Sequence, residues 1–230
     1  MIPPSRLYDA IDATWPPLRR WRDAGWVHRD GAGGGKRVSA ATAHSLGDVP
    51  KGPPPALVMI RQGEDALDAA LAKAGHRIVD PVVLYAAPSG ALAERTPSGI
   101  RTITTDAPLA RMREVWGAGG IGAARLAVMD RAAGPKTFLL GRSADRTVAC
   151  AFAAVDREIV MLHALEVAAA ARRDGLGRDL TAAAALWGQT QGAKCIALMT
   201  TEANAPARAL YEGLEMEPSG RYHYRTKAGA

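Results

Sequence analysis

The sequence predicts an α+β fold, with helices layered on a sheet in an α/β/α arrangement and a smaller α/β lobe at the N-terminal end. Three observations carry this. Short apolar runs of strand length alternate with amphipathic stretches of helical period along the chain. Three strand-like runs, at residues 136–141, 147–156 and 158–167, follow one another with no helix between them. After Gly177, the residues Leu180, Ala183, Ala184 and Trp187 fall at i, i+3, i+4 and i+7, which makes one apolar helix face. The chain has 230 residues, 48% of them hydrophobic, enough to bury a core as one large domain or two small ones.

Residues 5–14 read as a short helix, stopped by Trp15-Pro16-Pro17. Residues 25–30 and 36–43 read as strands, joined by the glycine-rich GAGGG at 31–35 as a hairpin. GDVPKGPPP, at 47–55, is a loop, because its prolines cannot donate to a ladder. A strand at 56–61, a helix at 65–74 ending before Gly75 and a strand at 77–85 come next. The small and turn-forming residues of SGALAERTPSG, at 89–99, mark a boundary between an N-terminal lobe (1–90) and a larger domain (91–230). That domain begins with a strand near 100–104 and helices near 109–116 and 123–133. The three consecutive strands lead to a helix at 177–190. A strand at 195–200, a helix at 205–213 and a final pair of strands ending in GRYHYR, at 220–225, complete it.

A faint repeat is visible. Residues 56–85 align without a gap on residues 196–225, so that Leu57 matches Ala197, Met59 matches Met199 and Ala70 matches Leu210. Both segments read strand, loop, helix, strand, a unit common enough to match by chance.

Composition excludes several classes. No apolar run approaches the roughly 20 residues needed to cross a bilayer, and the opening MIPPSRLYDAIDATW has no apolar signal core, so neither membrane insertion nor secretion is expected. Cys150 and Cys195 both sit in apolar runs and read as buried thiols of a cytoplasmic protein, not as a disulfide pair. The net charge is +6, but the basic residues are dispersed, whereas a nucleic-acid face needs a clustered stripe. A modest positive field still favours an anionic ligand. No metal is expected.

The stretch ARRDGLGRDL, at 171–180, places Gly175 and Gly177 where a helix is about to start. A helix start offers unpaired N–H groups and the positive end of the helix dipole. Glycines remove side chains that would block a ligand, so successive amides can surround phosphate oxygens. A diphosphate on bare backbone, with Arg172, Arg173 and Arg178 around it, is the functional reading. A plain helix-start turn is the other. The chain has no GxxxxGK[ST] and no G-x-G-x-x-G after a first strand, which excludes the two commoner phosphate loops.

Arg172-Arg173-Asp174-Gly175-Leu176-Gly177 resembles the R/Q-x-x-G-x-G/A signature of the GNAT superfamily of N-acetyltransferases. Leu165-Glu166-Val167 is similar to the L-x-V strand end that precedes it there. The run from Asn204 to Glu212 resembles the family's N-x-x-A-x-x-L-Y-E helix. The resemblance covers roughly residues 100–225; residues 1–90 look like a degenerate partial copy. It implies a mixed, mostly antiparallel sheet splayed between its fourth and fifth strands, and acetyl-CoA as cosubstrate. The diphosphate would lie on Arg172, Arg173, Asp174, Gly175, Leu176, Gly177 and Arg178. The pantetheine arm would pair with Leu165, Glu166 and Val167, and Asn204, Ala207 and Tyr211 would complete the cofactor site. Tyr211 would protonate the leaving thiolate, a strand amide near Leu165 would polarise the carbonyl, and His163, Glu166 or Glu158 would deprotonate the amine. Each has a plainer reading: Tyr211 as a core aromatic, His163 as a histidine satisfied in the sheet, Glu166 and Glu158 as solvated strand-edge carboxylates.

The implied activity is transfer of acetyl from acetyl-CoA to a primary amine of a small molecule or peptide, in a ternary complex. The alternative is a CoA-binding regulatory module without catalysis. The resemblance leaves a homodimer open. Two departures stand out: Glu215 occupies the usual glycine position after the Tyr211 helix, and Ala169 replaces a usual proline. In the N-terminal copy Leu71 stands for Tyr211 and Glu64 for Asn204, so that half is expected to bind no CoA. Trp21, Trp26 and His28 are read as core residues or, alternatively, as lining the acceptor pocket.

Overall fold

The consecutive strands expected between residues 136 and 167 lie side by side in one large sheet. The computed structural model describes residues 2–95 and 101–227. In chain order these form helix α1 (Pro4–Thr14), strands β1 (Arg19–Asp23), β2 (Trp26–Asp30), β3 (Thr42–Ala43) and β4 (Leu57–Arg61), helix α2 (Asp65–Lys73) and strand β5 (His76–Pro88). Helix α3 (Ser89–Ala93), strand β6 (Thr102–Thr105) and helices α4 (Ala110–Ala118) and α5 (Ala123–Arg131) follow. Then come strands β7 (Lys136–Ser143), β8 (Arg146–Asp156) and β9 (Ile159–Val167), helix α6 (Leu176–Thr190), strand β10 (Cys195–Thr201), helix α7 (Ala205–Gly213) and strand β11 (Glu217–Lys227).

One sheet has eight strands in the order β4-β11-β5-β10-β9-β8-β7-β6; a second has three, β1-β2-β3. All neighbours in the large sheet are antiparallel except β9 and β10, which are parallel. Alternate residues of the central strands serve opposite faces. Leu139, Ala149, Ala151 and Ala153 pack towards α3, α6 and α7, while Phe138, Leu140, Cys150 and Phe152 pack towards α4 and α5. Both faces are covered, which is why these strands read as continuous apolar runs.

Several elements differ from expectation. Strand β1 was not expected: all five residues of RRWRD are exposed, so it has no apolar alternation to betray it. Residues 36–43 are not one strand. Lys36–Val38 is a 3₁₀ turn, and only Thr42–Ala43 pair with β2. The expected final pair of strands is the single long β11, bent by irregularities at Pro218/Gly220 and Tyr222/Tyr224. Within the boundary segment, residues 89–93 are helical and Leu92 is buried in the main core; residues 96–99, and position 100 of the next strand, lie outside the described residues.

The strand register follows the faint repeat. Arg61 faces Tyr222 and Leu57 faces Thr226 across β4 and β11. The repeat equates Arg61 with Thr201 and Tyr222 with Val82, and these face each other across β10 and β5. The correspondence extends outwards: Val58 bridges Ala41 in parallel, as Leu198 pairs with Leu162. The two units are therefore related by a pseudo-twofold axis, and each inserts its second strand beside a strand of the other. The first copy carries the proline-rich loop at 47–55 where the second carries α6. Leu71 is buried with Val58, Ile60 and Leu67, and buried Glu64 accepts from the Arg61 backbone N–H at 2.6 Å.

Helix α2 is tied to β11 by Asp68, whose carboxylate accepts from Arg225 Nε at 2.7 Å and Nη2 at 2.8 Å and contacts His223 Nε2 at 2.7 Å. The Arg225 hydrogen bonds hold the Asp68 carboxyl below the ordinary 3.8. Its contribution to stability is therefore full above that value and is lost as the pH falls through the lowered one. Asp68→Ala strands the buried Arg225 guanidinium and should cost about 2 kcal/mol in urea unfolding at pH 7, with less difference from the parent at pH 3. Glu215 adopts φ 59°, the left-handed conformation a glycine would hold, and Met216 N–H closes the helix end on Tyr211 C=O at 3.0 Å. Glu215→Gly should raise stability by about 0.5–1 kcal/mol in the same assay.

Candidate active site

Strands β9 and β10 run side by side only from Cys195↔Ile159 to Leu198↔Leu162, and then part. The cause lies in β9. Between the pairs Phe152↔His163 and Cys150↔Glu166, the single residue Ala151 of β8 faces both Ala164 and Leu165. Ala164 takes φ 50°, and this bulge turns the strand away from β10. The Trp116 indole Nε1–H holds the bulge by donating to Ala164 C=O at 2.7 Å. A cavity of about 900 Å³ opens in the gap.

The far end of β9 leads into the loop at 172–175. Arg173 has φ 71° and Gly175 φ 80°, both left-handed. At Gly175 a Cβ would meet nothing, so that glycine serves the backbone conformation alone. At Gly177 a Cβ would come within 2.9 Å of Leu210 Cδ2, so this glycine lets the start of α6 approach α7. The amides of residues 173–178 make no hydrogen bond among the described residues, and they lie at the positive end of a helix running from Leu176 to Thr190. Arg172 and Arg173 border the cavity with them, as does Arg178. Arg172 folds back onto β9, donating Nε to Val167 C=O at 3.0 Å and Nη2 to Glu166 at 3.2 Å.

Helix α7 closes the opposite side. Asn204 caps it, with Oδ1 accepting from Ala207 N–H at 3.2 Å. Tyr211 is 6% exposed, lies 5.7 Å from the ring of Tyr85, and its hydroxyl has no hydrogen-bond partner among the described residues. Burial pushes the Tyr211 phenol up to about 12, so it holds its proton throughout the neutral range. Leu165, Glu166, Val167, Arg172, Arg173, Gly175, Leu176, Gly177, Arg178, Asn204, Ala207 and Tyr211 all line this one cavity, and so does His163. Asp174 does not: it turns to Arg101, which donates to its carboxylate at 3.0 Å and its C=O at 2.8 Å.

His163 is buried, and both ring nitrogens are engaged. Arg37 can only donate, so Nδ1 accepts from it at 3.2 Å; the proton is then on Nε2, which donates to Thr14 Oγ1 at 2.8 Å, and Thr14 donates to Ala10 C=O at 2.6 Å. Burial, with the Arg37 charge, holds this imidazole neutral, well below the ordinary 6.5. Sequence reasoning missed Arg37, which belongs to the 3₁₀ turn after the glycine-rich connection and carries no local motif. Trp21, Trp26 and His28 do not line the cavity: Trp26 is buried beneath β3 and β4, while Trp21 is exposed and stacks on His28. Cys150 and Cys195 are free and buried; desolvation raises both thiols, Cys195 to about 11.

Residues 110–216 match the model described as the acetyltransferase (GNAT) family. The chain carries a GNAT acetyltransferase domain. It is thus an enzyme of the acyltransferase class, of a family that uses acetyl-CoA and amine acceptors. The fold resembles a GCN5-related N-acetyltransferase from Kribbella flavida at 19% identity, over 99% of this chain and 96% of that one, with a TM-score of 0.72. A functionally unknown conserved protein from Staphylococcus epidermidis aligns at 10% identity over 94% and 96%, with a TM-score of 0.67. A tandem GNAT protein from the clavulanic acid biosynthesis pathway aligns at 15% identity over 79% and 62%, with a TM-score of 0.53. No curated protein matches the sequence. Among the described residues, no helix is long and apolar enough to cross a membrane.

An unfolded chain protonates its histidine below about 6.5, whereas folded His163 resists the proton. The stability this supplies is full above that pH and drains as the pH falls below it. His163→Gln should flatten the slope of unfolding free energy between about pH 6.5 and 5.

Proposed function

We propose that this GNAT domain binds acetyl-CoA in the gap between β9 and β10 and transfers the acetyl group to a primary amine by direct attack in a ternary complex. The observation that carries this is the run of unbonded amides at 173–178, at the end of a strand whose bulge opens a cavity also lined by Tyr211. The amides and the surrounding arginines hold the diphosphate, and Leu165, Glu166 and Val167 take the pantetheine arm as an added strand.

The chemistry follows from the residues. The amine lone pair attacks the thioester carbonyl while the Leu165 amide stabilises the oxygen. The C–S bond breaks, the thiolate takes the Tyr211 proton, and the amine gives its surplus proton to a base. Of the three candidate bases, Glu158 pairs with Arg6 at 3.4 Å and does not line the cavity, and His163 has its only lone pair on the Arg37 guanidinium and must lose that contact first. Glu166 lines the cavity and gives one oxygen to Arg172, so we assign deprotonation to Glu166, directly or through water, and the holding of Arg37 to His163. A cysteine-bound intermediate is disfavoured, because both thiols are buried and raised. Residues 1–90 hold no second CoA site, and the chain acts as a cytoplasmic enzyme.

Tyr211→Phe should lower kcat about 100-fold while acetyl-CoA still binds by calorimetry; unchanged kcat removes Tyr211 from the mechanism. The same titration should give one acetyl-CoA per chain, and a value of two would assign binding to the N-terminal copy. Gly175→Val, with a side chain that cannot take the left-handed conformation, should weaken acetyl-CoA binding at least tenfold, about 1.4 kcal/mol. Retained affinity would mean that the loop does not hold the cofactor.

A further inference from the structure

Beside the acetyl-CoA cavity lies a second hollow of about 280 Å³, and the two meet at Arg37, Ala164, Met199 and Thr200. One wall is aromatic, from Trp15, Tyr222 and Tyr224, and another is cationic, from Arg37 and Arg125. The acidic residue lining it, Asp80, is already paired with Lys36 at 2.6 Å. Arg37 is half-buried. Its guanidinium lies 5.4 Å from the Trp15 ring centroid, its hydrogen-bond partner is the neutral His163, and its Nε is buried with no partner. Among the described residues, neither Arg37 nor Arg125 forms an ion pair with a carboxylate of this chain.

An enclosed guanidinium without a counter-charge is costly to keep. Where it faces a cavity beside the reacting centre, an anion brought in by the ligand removes that cost, and a carboxylate fits its fork. We propose that the acceptor carries its own carboxylate: it is a free amino acid with an apolar or aromatic side chain. Its carboxylate is bound by Arg37, with Arg125 at the mouth, and its side chain lies on Trp15 and Tyr222. Arg37 stands where the two hollows join, so the amine must be only a few bonds from the carboxylate to reach the thioester, as in an α-amino acid. A polycationic acceptor would meet two arginines and no free carboxylate. This rests on the transferase reading above and narrows it to one class of amine.

The test uses matched triples of amines: an apolar α-amino acid, its primary amide and its decarboxylated amine, assayed by CoA thiol release with the full chain. The amino acid should show kcat/KM at least tenfold above the other two, through KM. Equal or better turnover of the amide or of the bare amine overturns the proposal. Arg37→Gln should collapse the acid-to-amide ratio towards one, and Arg37→Lys should restore part of it. Arg125→Ala, at an exposed position, should lower the ratio about threefold without disturbing the core; ratios unchanged in both the Arg37→Gln and Arg125→Ala variants reject the site. If acetyl-CoA binds but no amine is acetylated, the transferase reading fails. The carboxylate site is then decided by calorimetry on the CoA complex, where binding of the amino acid but not its amide supports it and binding of neither rejects it.

Discussion

The functional half of this molecule depends on one backbone event, the bulge at Ala164. Two parallel strands that stayed paired would leave no space between them, and the ladder would consume the amides a thioester needs. Placing two residues of β9 against one of β8 frees the strand end, and the Trp116 indole fixes the carbonyl that the bulge exposes. A non-glycine residue in the left-handed region costs about 1 kcal/mol, and the surrounding sheet, buried on both faces, holds it there. The loop at 172–175, Tyr211 and the second hollow all border that opening.

What was legible in the sequence was chemistry carried by local backbone. Gly175 and Gly177 marked a helix start with bare amides, and the structure gives them separate tasks: a left-handed turn for the first and a close approach to Leu210 for the second. Asn204 and Tyr211 were legible through the resemblance of residues 204–212 to the family's N-x-x-A-x-x-L-Y-E helix. The bulge at Ala164 was not, since nothing in HALEV distinguishes a kinked strand from a straight one. Arg37 was hidden for the same reason: its importance comes from Trp15 beneath it and His163 beside it, more than a hundred residues apart in the chain. Strand β1 escaped because an all-exposed strand has no apolar period.

The two units share one frame and differ in what they add to it. Both copies retain strand, helix, strand and the same register against each other. What separates them is the segment before the first strand of each unit, a proline-rich loop in one and the glycine loop with its helix in the other. Leu71 packs in a core and Glu64 makes a local hydrogen bond, where Tyr211 and Asn204 line the cavity.

The interleaving of the two copies also constrains the order of events during synthesis. In the large sheet, β4 lies beside β11, and β5 lies between β11 and β10. The strands made first must therefore wait for β10 and β11 before they find their partners. Such distant pairing slows closure and leaves apolar edges uncovered in the interval. A nascent chain of this kind is one that a chaperone would shelter until β11 has emerged.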